Sequence, residues 1–209
     1  MAATKRRSKV ETSKEAGRVR SAVREGAWEV EGIGYRTQAH LCLRRFEQKQ
    51  ALVRKRMKRL EAARRNGRTY RFPSMLMEEY RFYSSAAVVY SAMAVEGFLN
   101  YYGVKRLGED FYRNNLERLS SDRKLAGVLA ICTHQLLPQT AELVGTIRRL
   151  AERRNALVHP KAREPKSNGS RPSRRAILSE PSRDSVHDME RFFELFTQLD
   201  PDSVGAITW

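Results

Sequence analysis

From Arg36 to about Asn66, mostly apolar side chains recur at alternating steps of four and three: Ala39, Leu43, Phe46, Gln50, Val53, Met57 and Leu60. That seam predicts a long helix with one face reserved for a partner. Gly67 stands where such a helix would stop. After Phe72-Pro73 the pattern changes. Ser74 is placed to cap a second helix, and the segment FYSSAAVVYSAMAVEGFLN is apolar on nearly every side, as expected of a central buried helix ending at Gly103. Further helices are expected over Glu109–Leu119, from Asp122 to about Leu136, and from Pro138 to Val158 or His159, where Pro160 ends the last of them. A closing helix capped at or near Ser185 carries Val186, Met189, Phe192, Phe193, Phe196 and Leu199 on one side.

Other stretches lack this periodicity. Residues 1–25 are rich in Lys, Arg, Ser and Glu, and they read as a mobile basic tail. Gly26 to Tyr35 is the only strand-like or turn-like stretch, and residues 161–181 read as a loop with three Pro. The fold class is all-α, a bundle of four to five helices over 71–209 with a basic amphipathic helical extension over 26–70.

Charge sharpens this division. The 209 residues include 30 Arg and 10 Lys against 24 acidic residues, a net charge of +16, and residues 1–70 alone hold +13 of it. Such an excess favours a polyanionic partner. Along the first helix, Arg44, Arg45, Lys49, Arg54, Lys55, Lys58 and Arg59 fall mostly off the apolar seam, and these are the candidate nucleic-acid-binding residues. A solvated outer face on a helix packed against a core explains the same pattern equally well. A membrane-surface helix fits less well, because the seam has no Trp and is interrupted by Gln50. The mean hydropathy of −0.62 and an apolar run no longer than Ala86–Val95 argue against a membrane-spanning protein. With no apolar stretch behind the N-terminal charges, and only Cys42 and Cys132, the expected location is the cytoplasm. No residue set suggests a metal site or a cofactor.

The segment that carries chemistry is TIRRLAERRNALVHPK. Leu143, Ile147, Leu150 and Leu157 form its apolar stripe, and Arg154 falls on the same face, where a guanidinium requires a partner or a cleft. Asn155 and His159 are four residues apart and lie one above the other. His159 follows the negative end of the helix, which favours imidazolium. An Arg, an Asn and a His at one helix end are suited to hold a phosphate and move a proton. Arg-x4-His alone is expected by chance about 0.6 times in this composition; requiring Asn after the Arg reduces that to about 0.02.

Arg154-Asn155-Ala156-Leu157-Val158-His159 resembles the RNxxxH form of the Rx4-6H motif of HEPN domains. Ala94-Val95-Glu96-Gly97-Phe98-Leu99-Asn100 is similar to the first core helix of many bacterial members. The resemblance covers about residues 74–200 and not the basic N-terminal third. It implies an all-α domain that pairs as a two-fold homodimer and, in many members, a metal-independent endoribonuclease of toxin or defence type. On that reading His159 is the general acid/base, Arg154 holds the scissile phosphate, and Asn155 orients the phosphate or the His. The RNA's own 2′-OH attacks, leaving a 2′,3′-cyclic phosphate. Other members only bind RNA or nucleotides.

The residues themselves leave alternatives open. Arg154 also suits a structural ion pair with Glu96 or Glu152, and His159 a helix-end position. Glu96, acidic within an apolar helix, is expected to be paired. With Asn100 one turn on, it is a candidate to support Arg154 from behind. His40, His134 and His187 have no companions at useful spacing. Three functional classes follow: a ribonuclease, a non-catalytic RNA-binding dimer, and a module docking a partner such as a cognate antitoxin or effector protein.

Overall fold

The structure, a computed structural model, describes residues 33–133, 141–158 and 181–201. The expected basic tail, most of the strand-like stretch, the 161–180 loop, Pro138, His134 and His159 lie outside the described residues.

The described chain is all helical: α1 (Ile33–Arg65), α2 (Ser74–Leu107), α3 (Glu109–Asn115), α4 (Ser121–Cys132), α5 (Ala141–Val158) and α6 (Pro181–Leu199). α1 and α2 form an antiparallel hairpin and share the most extensive packing among the described helices. The α1 seam is its buried face. Ala39, Phe46, Gln50 and Val53 are almost fully enclosed, and Phe46 meets Tyr80 with ring centroids 5.0 Å apart. Ile33–Tyr35, expected to be strand-like, instead form the first turn of α1, and Tyr35 stacks on Tyr90. The contact with α2 overrides the turn preference of the local glycines.

α2 is the central element, touching α1, α3, α4, α5 and α6. By length and composition it could cross a membrane, the one such helix among the described residues, and 44% of its most apolar window lies buried. Its Phe98 is surrounded by Phe192, Phe193 and Phe196 of α6 at 6.0, 5.5 and 4.9 Å between centroids, mostly edge to face. Those rings make the heart of the core.

Several boundaries differ from the sequence expectation, each for a local reason. Gly103 does not end α2, which continues to Leu107. A Cβ at Gly103 would come within 2.5 Å of the Tyr112 ring, so glycine serves close approach there. The stop is Gly108, at φ +81°. α1 ends where expected: Gly67 is at φ +64°, and the Arg68 N–H returns to the Ala63 carbonyl at 2.8 Å. Ser74 is already inside α2, preceded by Pro73, and makes no side-chain cap. α3 stops at Asn115 and not Leu119, and α4 spans Ser121–Cys132 rather than reaching Leu136. α6 begins one turn before Ser185, whose hydroxyl donates to the Pro181 carbonyl at 2.6 Å.

Candidate functional site

α5 carries the motif. Leu143, Ile147 and Leu150 are buried, as their spacing requires, but Leu157 is 42% exposed because the core ends before the last turn of the helix. Arg154 sits where the buried row runs out. One guanidinium nitrogen, Nη1, donates to Glu96 Oε2 of α2 at 2.6 Å, so the expected pair is made. The other edge is held loosely, with Nε and Nη2 at 3.4 and 3.3 Å from Asn155 Oδ1. Such long bonds exchange readily for a better acceptor. Arg154 therefore has an anchored edge and an available one. A phosphate fits the available edge, since the fork matches two oxygens. The space behind Arg154, lined by Glu96, Ser121 and Ile147, is only about 10 Å³. Among the described residues the site is a surface, not a pocket.

Glu96 belongs to a larger polar row. Asn100, one turn along α2, accepts from Tyr112 Oη at 2.5 Å and from Lys124 Nζ at 2.7 Å. Lys124 is 3% exposed, and its ammonium lies 5.8 Å from the centroid of the Tyr112 ring. Burial holds this ammonium below the usual lysine range, while the nearby Glu96 and Glu117 carboxylates act the other way. The sequence reading missed Lys124. Its signal was its place beside Leu125 and one turn before Val128, on the apolar face of α4.

On the opposite side of α5, Asp188 of α6 takes two more of the motif-helix arginines, Arg149 and Arg153. Arg149 reaches it through Nη2 at 2.6 Å and Nε at 3.1–3.2 Å, and Arg153 through Nη1 at 2.6 Å. The Asp188 side chain is 7% exposed. Burial would raise its pKa, but the two guanidinium groups outweigh that and hold the carboxyl below the usual range. This clamp was also missed, although Asp188 lies directly beside Met189 on the apolar side of α6.

Neither family models, nor curated proteins, nor solved structures give a match to this chain.

The basic face of α1 is on the surface. Arg44, Arg45, Arg54, Lys55, Lys58 and Arg59 are exposed, whereas Lys49 is half-buried and donates to Glu79 Oε2 of α2 at 2.6 Å. Lys49 thus braces the hairpin. His40, which has no companion in sequence, has one in space. Glu190 of α6 accepts from Arg36 Nε at 2.9 Å, and its Oε1 lies 2.8 Å from His40 Nε2, tying α1 to α6. Asp200 is likewise bonded to Tyr102 and to Arg106, the latter at 2.7 Å. Between α4 and α5 an open cleft of about 410 Å³ has a floor that includes Ala126, Val144 and Gly145, with the Asp122–Arg148 ion pair at 3.2 Å on its rim. Among the described residues no three His, Cys, Asp or Glu side chains gather as a metal ion would require.

Proposed function

We propose that the protein is a metal-independent endoribonuclease of HEPN type, acting in the cytoplasm as a two-fold homodimer that brings two motif-helix ends together. One observation carries the reading: Arg154 is fixed by Glu96 on one edge and held only loosely by Asn155 on the other, five residues before His159 in sequence. The chemistry follows from these groups. The available edge of Arg154 takes the scissile phosphate and offsets the charge that develops on it. His159, after the negative end of α5, exchanges a proton with the attacking 2′-OH or the leaving 5′-oxygen. Asn155, now bonded to Arg154, is released to orient the phosphate or the imidazole. The products are a 2′,3′-cyclic phosphate and a free 5′-hydroxyl.

Dimerisation supplies what a single chain lacks, since each chain offers one Arg and one His. Exposed Leu157 and Val158 at the end of α5, 42% and 52% accessible, give the facing surfaces an apolar element. A strictly monomeric mass by light scattering at micromolar concentration would contradict the pairing. The exposed cations of α1 favour a second reading, a non-catalytic RNA-binding dimer that docks RNA or an acidic partner such as a cognate antitoxin or effector. Incubation of purified protein with total RNA separates the two, because only the first shortens the RNA.

A further inference from the structure

The core has two parts, and the smaller one lies apart from the bundle. It centres on Phe46, Val53 and Tyr80 and draws its side chains only from α1, α2 and the turn between them. α6 starts at Pro181, and the Arg183–Glu47 ion pair at 2.9 Å sets its first turn against α1. About 27 Å of α1, from Gln48 to Arg65, runs on past that point, packed on the first part of α2. Among the described residues this end of the hairpin is a two-helix arm. Residues 48–83 hold eleven Lys and Arg against three Glu, half of the net charge of the chain.

The arm also exposes apolar groups that its own packing does not use. Met75 and Phe82 are 71% and 65% exposed, the highest values of any large hydrophobic residue described. Seven residues apart, they share one face of α2. Phe82 is braced from one side by Tyr83, with ring centroids 5.3 Å apart and an edge-to-face angle of 72°. Tyr83 in turn is packed against both parts of the core. The Phe82 ring is therefore steadied and still open. Arg81 is exposed beside it, and the register set by Lys49–Glu79 and Phe46–Tyr80 puts exposed Arg45 of α1 level with it.

We propose that Phe82 is a stacking platform for an unpaired base of single-stranded RNA, with the neighbouring phosphates held by the cations of the arm. This deepens the reading of the protein as one that acts on RNA, and rests on it. A π-face on a basic surface binds any base whose own face is free, and in a duplex the base faces are covered. Other occupants fit the arm less well. A second copy would bring two arms of the same charge together. A lipid surface would draw Glu78, exposed one turn before Phe82, toward the acyl chains. A protein partner needs an apolar centre to its interface, and a ring with one thioether is a small one.

The probe is an unstructured, fluorescein-labelled 2′-O-methyl oligonucleotide, which lacks the attacking hydroxyl and is bound without being cut; its duplex is the control. In the full chain, Phe82→Ala should weaken single-strand binding about 5- to 150-fold, the usual range for one stacked base. The slope of log K against log[salt] should not change, because no phosphate contact is lost. Phe82→Leu, apolar but without a π-face, should lose as much, and Phe82→Trp should keep the affinity or raise it. Duplex binding should stay within about twofold in all three variants. The side chain is exposed, so all three should melt with the wild type.

Unchanged single-strand affinity in Phe82→Ala would overturn the proposal, whether or not the protein cleaves RNA. So would full affinity in Phe82→Leu, which marks an apolar docking face for a protein. Binding to phosphatidylserine–phosphatidylcholine vesicles that drops in Phe82→Ala as far as RNA binding would mark a lipid face instead. A change from dimer to monomer in that variant by light scattering would mark a contact between copies, with the same consequence. Should the wild type cut no RNA, the expected binding pattern still upholds the stacking site, and only the ribonuclease reading falls. Should it cut, Phe82→Ala should raise KM and leave kcat unchanged.

Discussion

Arg153 and Arg154 are neighbours on α5 and have opposite fates. Arg153 turns toward α6, where its side chain is 23% exposed and is bonded to a carboxylate that also takes Arg149. Arg154 turns toward α2, where it is 31% exposed, bound firmly at one nitrogen and loosely at the rest. The first is saturated by a nearly buried partner and serves to join two helices. The second is steadied without being consumed. Residue type does not separate a structural arginine from a ligand-ready one; the division of its donors does.

The comparison breaks most sharply on activity. Arg154→Ala should reduce RNA cleavage by about 10²–10³-fold, equivalent to roughly 2.7–4 kcal/mol at the transition state. Its effect on stability should stay within about 1 kcal/mol, because the pair it leaves is substantially solvated. Arg154→Lys should recover little, since a point charge lacks the fork. An Arg154→Ala protein that loses its fold would place this residue with Arg153.

Asp188→Ala should do the reverse, lowering unfolding free energy by about 3 kcal/mol in urea titration by stranding two guanidinium groups, less than for a fully enclosed pair because Arg149 is half exposed. The same carboxylate gives a pH dependence with a definite sign. Its folded pKa lies below the unfolded value of about 3.9, so its contribution is complete above that value and fades as pH falls through the folded one. The stability gap between wild type and Asp188→Asn, open at neutral pH, should close on acidification below about pH 4. A gap that persists into strong acid would mean that the clamp is not electrostatic.

The smallest effect per residue belongs to α1. Replacing Arg44, Arg45, Lys55 and Arg59 together with Ser should flatten the salt dependence of RNA binding, changing the slope of log K against log[salt] by about three for single strands. Filter binding between 50 and 300 mM salt, as round laboratory conditions, reads this directly. An unchanged slope would return α1 to the role of a solvated outer face.

What the sequence disclosed follows from which forces are local. The α1 seam, the buried α2 and the aromatic side of α6 were legible because periodic apolar positions report burial without knowledge of the partner. Helix ends were less so. Gly103 reads as a stop until the Tyr112 ring is placed against it, and Ser185 reads as a cap until Pro181 is seen to begin the helix. At the site, Arg154, Asn155 and Glu96 were marked by spacing and by an acid in an apolar run. Lys124, Asp188 and the His40–Glu190 contact were not, since each depends on a residue from another helix 24 to 150 positions away.

The most direct test of the central claim is incubation of purified wild type, Arg154→Ala and His159→Ala with total RNA in EDTA. Fragments ending in 2′,3′-cyclic phosphate are expected from the wild type and intact RNA from both variants, with all three proteins folded. RNA bound tightly but left whole by the folded wild type would contradict it.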